Sequence, residues 1–202
     1  MGAAARATRR SSSQTSVELI EKAALEVFAA RGFEETTVEE IAAAAGISRR
    51  TFFRYFASKN DIPFGNFPVF LAELDEWLAE VPDDRPMFEV IAEAVLRFNR
   101  VHSDGAVAHR ARMELIMHTP ALRANAALRN TDYLNALARY AARRMGEPVG
   151  SFGPQLVGHA SHGVAMAVYE QWLQDESSDL AELVHRGFAM LQNLSALDTG
   201  AT

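Results

Sequence analysis

Apolar residues recur along most of this chain with the spacing of one face of an α-helix. In the first such stretch, Val17, Ile20 and Ala24 lie three or four positions apart, which is the repeat of an amphipathic helix. No stretch alternates apolar and polar residues as a half-buried strand does, and no segment repeats. The pattern predicts an all-α protein whose first helix is capped by Ser16 and ends near Arg31.

The same repeat continues beyond this helix in longer segments separated by turn-forming residues. The predicted segments are 59–80, 87–102, 107–118, 121–145, 155–174 and 180–194. Pro63 falls in the first turn of segment 59–80, where proline is tolerated. Pro68 falls well inside it and is expected to kink or break the helix. Two interpretations stay open, a hinge used in regulation and a fixed structural kink.

A shorter pair of helices is predicted between Thr36 and Lys59, in the run TTVEEIAAAAGISRRTFFRYFASK. Thr36 or Thr37 fits the N-cap of the first, and Glu39 stands three residues after Thr36, as a capping box requires. Gly46 ends this helix, because glycine adopts a positive φ without steric cost. The pair therefore predicts two helices joined by a tight glycine turn.

The second helix of the pair has an apolar face and a basic face. Ser48 caps it, and Phe52 and Phe56 lie four residues apart on the inward face. Arg50 and Arg54 share another stripe, and positions 49–59 hold four basic residues and no acidic one. Like charges at this spacing destabilise a helix by roughly 0.2–0.5 kcal/mol. A polyanion would neutralise them, which is typical of the recognition helix of a helix-turn-helix.

Residues 17–62 resemble the N-terminal domain of TetR-family transcriptional regulators. The words AALEVFAARGFEETTVEEIAAAAGIS and RTFFRYFASKNDI occur in the family's order and spacing. The run SKNDIPFGNF further resembles the TetR subgroup encoded near mycofactocin biosynthesis genes. The resemblance implies a three-helix DNA-binding head followed by a larger helical body for ligand binding and dimerisation.

The candidate DNA contacts surround the recognition helix. Arginine can donate two hydrogen bonds to one guanine, and the N-termini of helices bind phosphate favourably. The family usually has Tyr, which contacts a phosphate, where this chain has Phe53, so Tyr55 is expected to take over part of that role. The full set is Thr37, Ser48, Arg49, Arg50, Thr51, Phe53, Arg54, Tyr55 and Lys59.

The charge distribution supports a basic head on an acidic body. Residues 1–60 hold nine Lys/Arg and seven Asp/Glu, net +2, and residues 61–202 hold eleven and nineteen, net −8, which sum to −6. The tail 1–15, with arginines at positions 6, 9 and 10, is interpreted as disordered, either a DNA-reaching arm or a solvated tail. The predicted domains are the tail, a helix-turn-helix domain at 16–60 and a helical domain at 61–202.

Composition limits the kinds of site and the cellular location that are expected for the protein. The chain has 202 residues and no cysteine, which excludes disulfides and thiolate zinc sites. No apolar run approaches the roughly 20 residues of a membrane span, and the N-terminus has no signal-peptide core. We expect a cytoplasmic protein with no membrane partner.

Small residues interrupt the apolar pattern of segment 155–174 and allow helices to approach closely. TetR-like proteins dimerise through their last two long helices, so the resemblance implies a homodimer that reads a palindromic operator. The alternative is that both helices are internal core. The candidate interface is Gly158, Ser161, His162, Ala165, Leu183, Phe188 and Leu191.

The body between head and interface is the expected ligand chamber, because ligand pockets are mostly apolar with a few polar groups. We expect a small apolar ligand, and similarity to the mycofactocin-associated subgroup implies a long one such as a fatty acyl-CoA. Arg97, Arg100, Arg110, Arg112 and the histidines are candidates for the polar groups. The candidate apolar lining is Phe64, Phe67, Phe70, Trp77, Phe98, Met113, Met117 and Tyr133.

Metal binding and catalysis have little support in the sequence. His159 and His162 share a helix face, but no third ligand follows nearby before Glu170. The motifs of hydrolases, metalloproteases, nucleotide-binding loops and dinucleotide folds do not occur. We therefore expect a ligand-responsive repressor. We expect it to bind no cofactor and no metal ion and to have no enzymatic activity. The alternative is a small-molecule binding protein whose DNA-binding head is vestigial.

Overall fold

The chain folds into α-helices joined by short turns, in a computed structural model that describes the backbone of residues 2–100 and 106–193. Side chains are described for residues 16–98 and 107–193. This part of the chain forms no strand, which confirms the all-α prediction. A 3₁₀ helix covers Lys59–Phe64. The α-helices are α1 Gly2–Arg31, α2 Val38–Ala44, α3 Arg49–Tyr55, α4 Phe67–Glu80, α5 Met87–Arg100, α6 Ala106–His118, α7 Pro120–Met145, α8 Phe152–Gln174 and α9 Leu180–Gln192.

Helix α1 begins at Gly2, whereas the sequence predicts its start at Ser16. Residues 3–5 are alanines, the strongest helix formers, and neither glycine nor proline follows before Gly32. Ser16 therefore lies inside α1 and is not its N-cap. The arginine side chains of the tail lie outside the described residues, so a DNA-reaching arm stays a prediction.

The structure divides into two compact units. Unit 1 comprises Met1–Phe67 and Ala106–Ala127, and unit 2 comprises Pro68–Gly105 and Leu128–Thr202. Unit 1 thus contains the predicted DNA-binding head together with α6 and the first turns of α7. The sequence predicts both of these elements as part of the body.

The core of unit 1 fixes α2 and α3 on α1. Ile41 of α2, Phe52 of α3 and Ile62 of the 3₁₀ helix are all fully buried in one cluster. Phe56 is 4% exposed, so the inward face predicted for α3 is confirmed. Leu122 of α7 belongs to the same cluster and is also fully buried. Burial of a large apolar side chain contributes about 1.5–3 kcal/mol, so this cluster anchors the recognition helix.

Residues 59–80 form two helices and not one kinked helix. The 3₁₀ helix ends at Gly65, whose φ of 57° and ψ of −146° are accessible mainly to glycine. Helix α4 then begins at Phe67, which places Pro68 in its first turn, where a missing N–H costs nothing. The predicted kink at Pro68 is therefore wrong, and both interpretations that rest on it, the hinge and the fixed kink, lose their basis.

Unit 2 is held by close helix packing and by one arginine. A Cβ on Gly187 of α9 would lie 2.9 Å from a methyl group of Val164 on α8, so glycine permits this approach. The Arg143 guanidinium on α7 donates to the carbonyls of Leu78 and Val81 at 2.9 and 3.1 Å. It thereby satisfies carbonyls at the C-terminal end of α4 that have no intrahelical donor.

The other helix boundaries differ from prediction by a few residues. Helix α8 begins at Phe152, three residues before the predicted start at 155, and Pro154 falls in its first turn. Helix α7 begins one residue earlier than predicted, at Pro120. None of the helices in the described ranges is long and apolar enough to cross a bilayer.

Candidate nucleic-acid interface

A capping box fixes the start of α2. The hydroxyl of Thr37 accepts from the backbone N–H of Glu40 at 3.3 Å, and the Glu40 carboxylate accepts from the backbone N–H of Thr37 at 2.9 Å. Chiefly because of that backbone hydrogen bond, the pKa of Glu40 is lowered. Thr36 is instead buried and donates to the Gly32 carbonyl at 2.7 Å. The capping box is therefore Thr37 with Glu40, and the pairing of Thr36 with Glu39 is wrong.

The turn between α2 and α3 is closed by Gly46, which has a φ of 67°. The next N–H, that of Ile47, donates back to the Ala42 carbonyl at 2.9 Å. Ser48 then caps α3 by accepting from the backbone N–H of Thr51 at 3.1 Å. Glycine turn and serine cap are confirmed, and together they set the angle at which α3 leaves α2.

The outward face of α3 presents exposed cations. Arg50 is exposed and has no hydrogen bond or ion pair with any residue in the described part of the chain. Arg49 pairs with Glu39 at 3.1 Å, and both side chains are more than half exposed, so the pair contributes little and can exchange for a phosphate. Phe53 is 45% exposed, and the Arg49 guanidinium lies 5.4 Å from its ring centroid.

Tyr55 and Arg54 form a pair at the end of α3. The Arg54 guanidinium donates to the Tyr55 hydroxyl at 2.9 Å and lies 4.7 Å from its ring centroid. The pKa of Tyr55 is lowered by a hydrogen bond with Ser16 and by the hydrogen bond from Arg54. The hydroxyl predicted to contact phosphate is thus already partnered twice within the chain.

Lys59 has a different environment from the arginines. Its ammonium donates to the carbonyls of Phe33, Glu34 and Thr36 at 2.7, 2.9 and 2.9 Å. A lysine ammonium has three donors, so all of them are used to join the 3₁₀ helix to the loop before α2. Contact with a phosphate, as predicted, would require Lys59 to release at least one carbonyl.

The predicted dimer residues lie mostly on the inner side of α8 and α9. Within the single chain Gly158, Ser161, Ala165 and Phe188 are already buried, and a Cβ on Gly158 would lie 3.0 Å from a backbone oxygen of α7. These four are therefore core positions. This agrees with the alternative that the sequence left open, because small residues on a helix do not reveal which neighbour they approach.

His162, Leu183 and Leu191 are half-buried and stay candidates for an interface. His162 lies 3.2 Å from the Asn130 amide nitrogen, and burial together with nearby His159 lowers the pKa of His162. The neutral imidazole is thus favoured. In the described ranges, His, Asp and Glu do not form a group of three that could hold a metal ion.

The candidate ligand residues are divided between the units. Phe98 and Tyr133 of unit 2 have ring centroids 5.0 Å apart, and Trp77 lies under the Arg97 guanidinium at 4.5 Å. Burial raises the pKa of Tyr133, so its hydroxyl stays neutral. Phe70 of unit 2 is buried as well. Phe64, Phe67, Met113 and Met117 belong to unit 1, where Phe64 and Phe67 pack on the core.

One polar contact of unit 1 differs from the sequence prediction. Arg112, expected as a pocket group, pairs with Glu21 of α1 at 3.4 Å, and the side chains are 3% and 8% exposed. The side chain of Arg100 lies outside the described residues. Glu21 follows Val17 by one helical turn and so lies on the apolar stripe of α1. An acid on such a stripe signals a buried partner, which could have identified this pair.

Comparison with known families places both halves of the chain. Residues 20–62 match the family model described as "Bacterial regulatory proteins, tetR family", and residues 85–195 match the model "MftR C-terminal domain". A candidate mycofactocin biosynthesis transcriptional regulator, MftR, from Mycobacterium tuberculosis is 40% identical over 84% of this chain and 85% of its own length. The regulator TcmR of Streptomyces glaucescens is 34% identical over 79% and 74%.

Solved structures share the fold. FadR of Thermus thermophilus, a TetR-family repressor in complex with lauroyl-CoA, has a TM-score of 0.58 and 25% identity, with 88% of this chain and 93% of that chain covered. FadR of Bacillus subtilis, in complex with stearoyl-CoA, has a TM-score of 0.59 and 22% identity, with coverages of 86% and 96%.

Proposed function

Because this chain belongs to the TetR family of transcriptional regulators, we propose that it is a repressor that binds a palindromic operator as a homodimer and responds to a small apolar ligand. It would act in the cytoplasm, where it meets double-stranded DNA. The alternative is a small-molecule binding protein with a vestigial head.

The observation that carries the DNA-binding role is the exposed side chain of Arg50 on a helix that is capped at its start and buried along its inner face. Ser48 caps the start of α3, and Phe52 is fully buried beneath it. An unpaired guanidinium on a rigid helix can form two hydrogen bonds with guanine, worth about 1–3 kcal/mol of discrimination. Thr51 lies beside it, and Arg49 and Arg54 can reach phosphates by exchanging weak surface partners.

Thr37, Ser48 and Tyr55 support the proposed interface in a structural way. Their hydroxyls already form hydrogen bonds within the chain, so they orient the helices more than they recognise bases. Of the three, Thr37 and Ser48 lie at helix starts, where a phosphate is favoured. Lys59 stays a proposed phosphate contact, but the phosphate would have to compete with the three carbonyls that its ammonium already binds.

The proposed dimer uses the outward face of α8. At about 100° per residue, Phe152, Leu156 and Gly163 lie opposite the buried face of this helix. Phe152 and Leu156 are 81% and 52% exposed, and a Cβ on Gly163 would meet nothing within 4 Å. Met190 of α9 is 45% exposed. A second copy would bury this apolar face, and a two-fold dimer suits a palindromic operator.

The dimer is tested by Leu156→Glu, with Leu128→Glu on α7 as the matched control, since Leu128 is 78% exposed. A charge at Leu156 should convert the dimer to a monomer in analytical ultracentrifugation, and the same charge at Leu128 should not. Loss of the dimer in both variants, or in neither, would reject this face.

The proposed ligand is a fatty acyl-CoA or another long apolar molecule. The FadR relatives are in complex with lauroyl-CoA and stearoyl-CoA. In unit 2, Phe70, Trp77, Phe98 and Tyr133 supply apolar and aromatic surface, and the neutral Tyr133 hydroxyl adds a polar group without charge. Met113 and Met117 remain predicted lining residues.

The deciding experiment is fluorescence anisotropy with DNA from around the protein's own gene, over a salt series. We expect sequence-specific binding whose affinity falls steeply with salt, because phosphate contacts release counterions. Arg50→Ala should weaken specific binding by about 5- to 150-fold. Arg123→Ala removes an exposed arginine elsewhere in unit 1 and should have little effect.

Lauroyl-CoA is then added to the complex, and release of DNA would support a repressor that a ligand inactivates. Weak binding that is equal on all sequences, unchanged by Arg50→Ala, would overturn the repressor and favour the vestigial-head alternative.

A further inference from the structure

The face of α3 that carries the arginines also carries an exposed phenyl ring. Among residues 32–64, all of which the structure describes, Phe53 is the only large apolar residue that is exposed. A phenyl ring has no hydrogen-bond donor or acceptor, so Phe53 cannot form the phosphate contact that the resemblance implies for a tyrosine at this position. Single exposed apolar residues are common on protein surfaces, so the location and the orientation of this ring decide what it can do.

Contacts with two neighbours fix the orientation of the Phe53 ring. It packs edge to face on the fully buried Phe52, with ring centroids 5.3 Å apart and ring planes at 87°. The Arg49 guanidinium lies 5.4 Å from the centroid of Phe53, and Arg49 in turn pairs with Glu39 of α2 at 3.1 Å. A side chain that is ordered before binding loses little conformational entropy when it binds.

The helical repeat places Phe53 beside the residue that is proposed to contact a base. Arg50 and Phe53 stand three positions apart, and side chains at that spacing are neighbours on a helix, with Cβ atoms about 5–6 Å apart. Successive base pairs of B-DNA are about 3.4 Å apart, so Phe53 would meet a base pair one or two steps from the base that Arg50 contacts. In the major groove, the apolar group that base pairs present is the C5-methyl group of thymine.

We propose that the Phe53 ring contacts the C5-methyl group of one thymine in each half of the operator, one or two base pairs from the base that Arg50 contacts. This inference rests on the proposed function and deepens it by assigning a second recognised base. Burial of one methyl group against the ring should favour thymine over uracil by about fourfold in each half-site. Arg50 thus recognises its base by hydrogen bonds, and Phe53 recognises a neighbouring base by apolar contact.

The experiment replaces thymine by deoxyuridine in a synthetic duplex of the operator from around the protein's own gene, one position at a time and in both half-sites. The replacement removes the methyl group and keeps Watson–Crick pairing. The base that Arg50 contacts is the position at which Arg50→Ala relaxes specificity. Within two base pairs of it, one thymine should give about a 16-fold loss of wild-type affinity in fluorescence anisotropy, about fourfold for each half-site. In Phe53→Ala the thymine and uracil duplexes should bind equally at this position.

Two further variants separate this contact from its alternatives. Thr51→Ser removes a methyl group beside Phe53 and keeps the hydroxyl, whose oxygen lies 3.0 Å from that of Ser48, so the preference for thymine should persist. Phe53→Leu keeps an apolar side chain and should retain about a twofold preference for each half-site. Should Phe53→Ala fail to fold, Phe53→Gln provides a polar substitute of similar length.

Sequence-specific binding by the wild type that depends on no thymine methyl near the base contacted by Arg50 would overturn the inference and leave the proposed function standing. A preference for thymine that persists in Phe53→Ala, or that is lost in Thr51→Ser, would also overturn it. A merely structural Phe53 would weaken binding to the thymine and uracil duplexes equally when replaced by alanine. Absence of sequence-specific binding by the wild type would reject both the inference and the proposed function.

Discussion

Lys59 offers a sharp division between stabilising the head and contacting DNA. Its ammonium donates to three backbone carbonyls at 2.7–2.9 Å and lies 4.7 Å from the Phe33 ring centroid. In Lys59→Met the side chain keeps its apolar stem and loses all four interactions. If Lys59 is structural, this substitution should destabilise the head while leaving most operator affinity in the folded fraction.

The magnitude follows from the contacts. A hydrogen bond to a charged group contributes about 1.5–3 kcal/mol. The three bonds share one half-buried ammonium, so we take about 2–3 kcal/mol for the set, to which the contact with the Phe33 ring adds about 0.5 kcal/mol. The free energy of unfolding should therefore fall by about 3 kcal/mol. At a urea dependence of about 2 kcal/mol per M, the midpoint should fall by roughly 1.5 M.

The assay is urea denaturation followed by circular dichroism, paired with anisotropy on operator DNA. Arg50→Met is the matched control, because Arg50 is exposed and lacks a partner in the described part of the chain. It should change stability by no more than about 0.5 kcal/mol and remove most specific binding. If Lys59→Met kept the wild-type midpoint but lost operator binding as Arg50→Met does, the structural role would be refuted.

Three further predictions concern packing and titration. Gly187→Ala should destabilise unit 2 in thermal unfolding, because its Cβ would lie 2.9 Å from a valine of α8. Gly150→Ala, in the loop before α8, enters open space and should not destabilise the protein. The pKa of Glu40 is lowered in the folded state from 4.5. The contribution of this carboxylate to the free energy of unfolding is therefore present above pH 4.5 and is lost as the pH falls through the folded pKa. Glu40→Gln should weaken the loss of stability on acidification, measured by urea midpoints from pH 6 to pH 3. Burial raises the pKa of Tyr133 and Tyr169, so neither should ionise in an absorbance titration at alkaline pH until the protein unfolds.

Local chemistry predicts the helix-turn-helix well. Gly46 and Ser48 act through their own backbone and side-chain preferences, and Phe52 and Phe56 face inward because the helical repeat places them on one side. The start of α4 was missed because Gly65, and not Pro68, interrupts the helix. Both residues are helix breakers, so composition alone could not decide which of them acts.

Contacts between distant segments were harder to predict. Lys59 and the arginines of α3 look alike as basic residues, but only the fold shows that Lys59 faces three carbonyls left by the loop before α2. Gly158 and Gly163 stand five positions apart on α8, and their roles differ because one approaches α7 and the other faces open space. Residue type limits the interactions that a position can form, and the segment packed against it in the fold determines which of them it forms.

The opposite faces of α8 have a consequence for a cell that contains many related regulators. Val157 and Ala165 on the inward face are constrained by the fold of their own chain. Leu156 and Gly163, on the outward face, can change at little cost to that fold. In the proposed dimer, complementary side chains at outward positions would admit a chain's own copy, and clashes or unmatched charges would reject its paralogues. Pairing identity can therefore diverge while the fold is maintained.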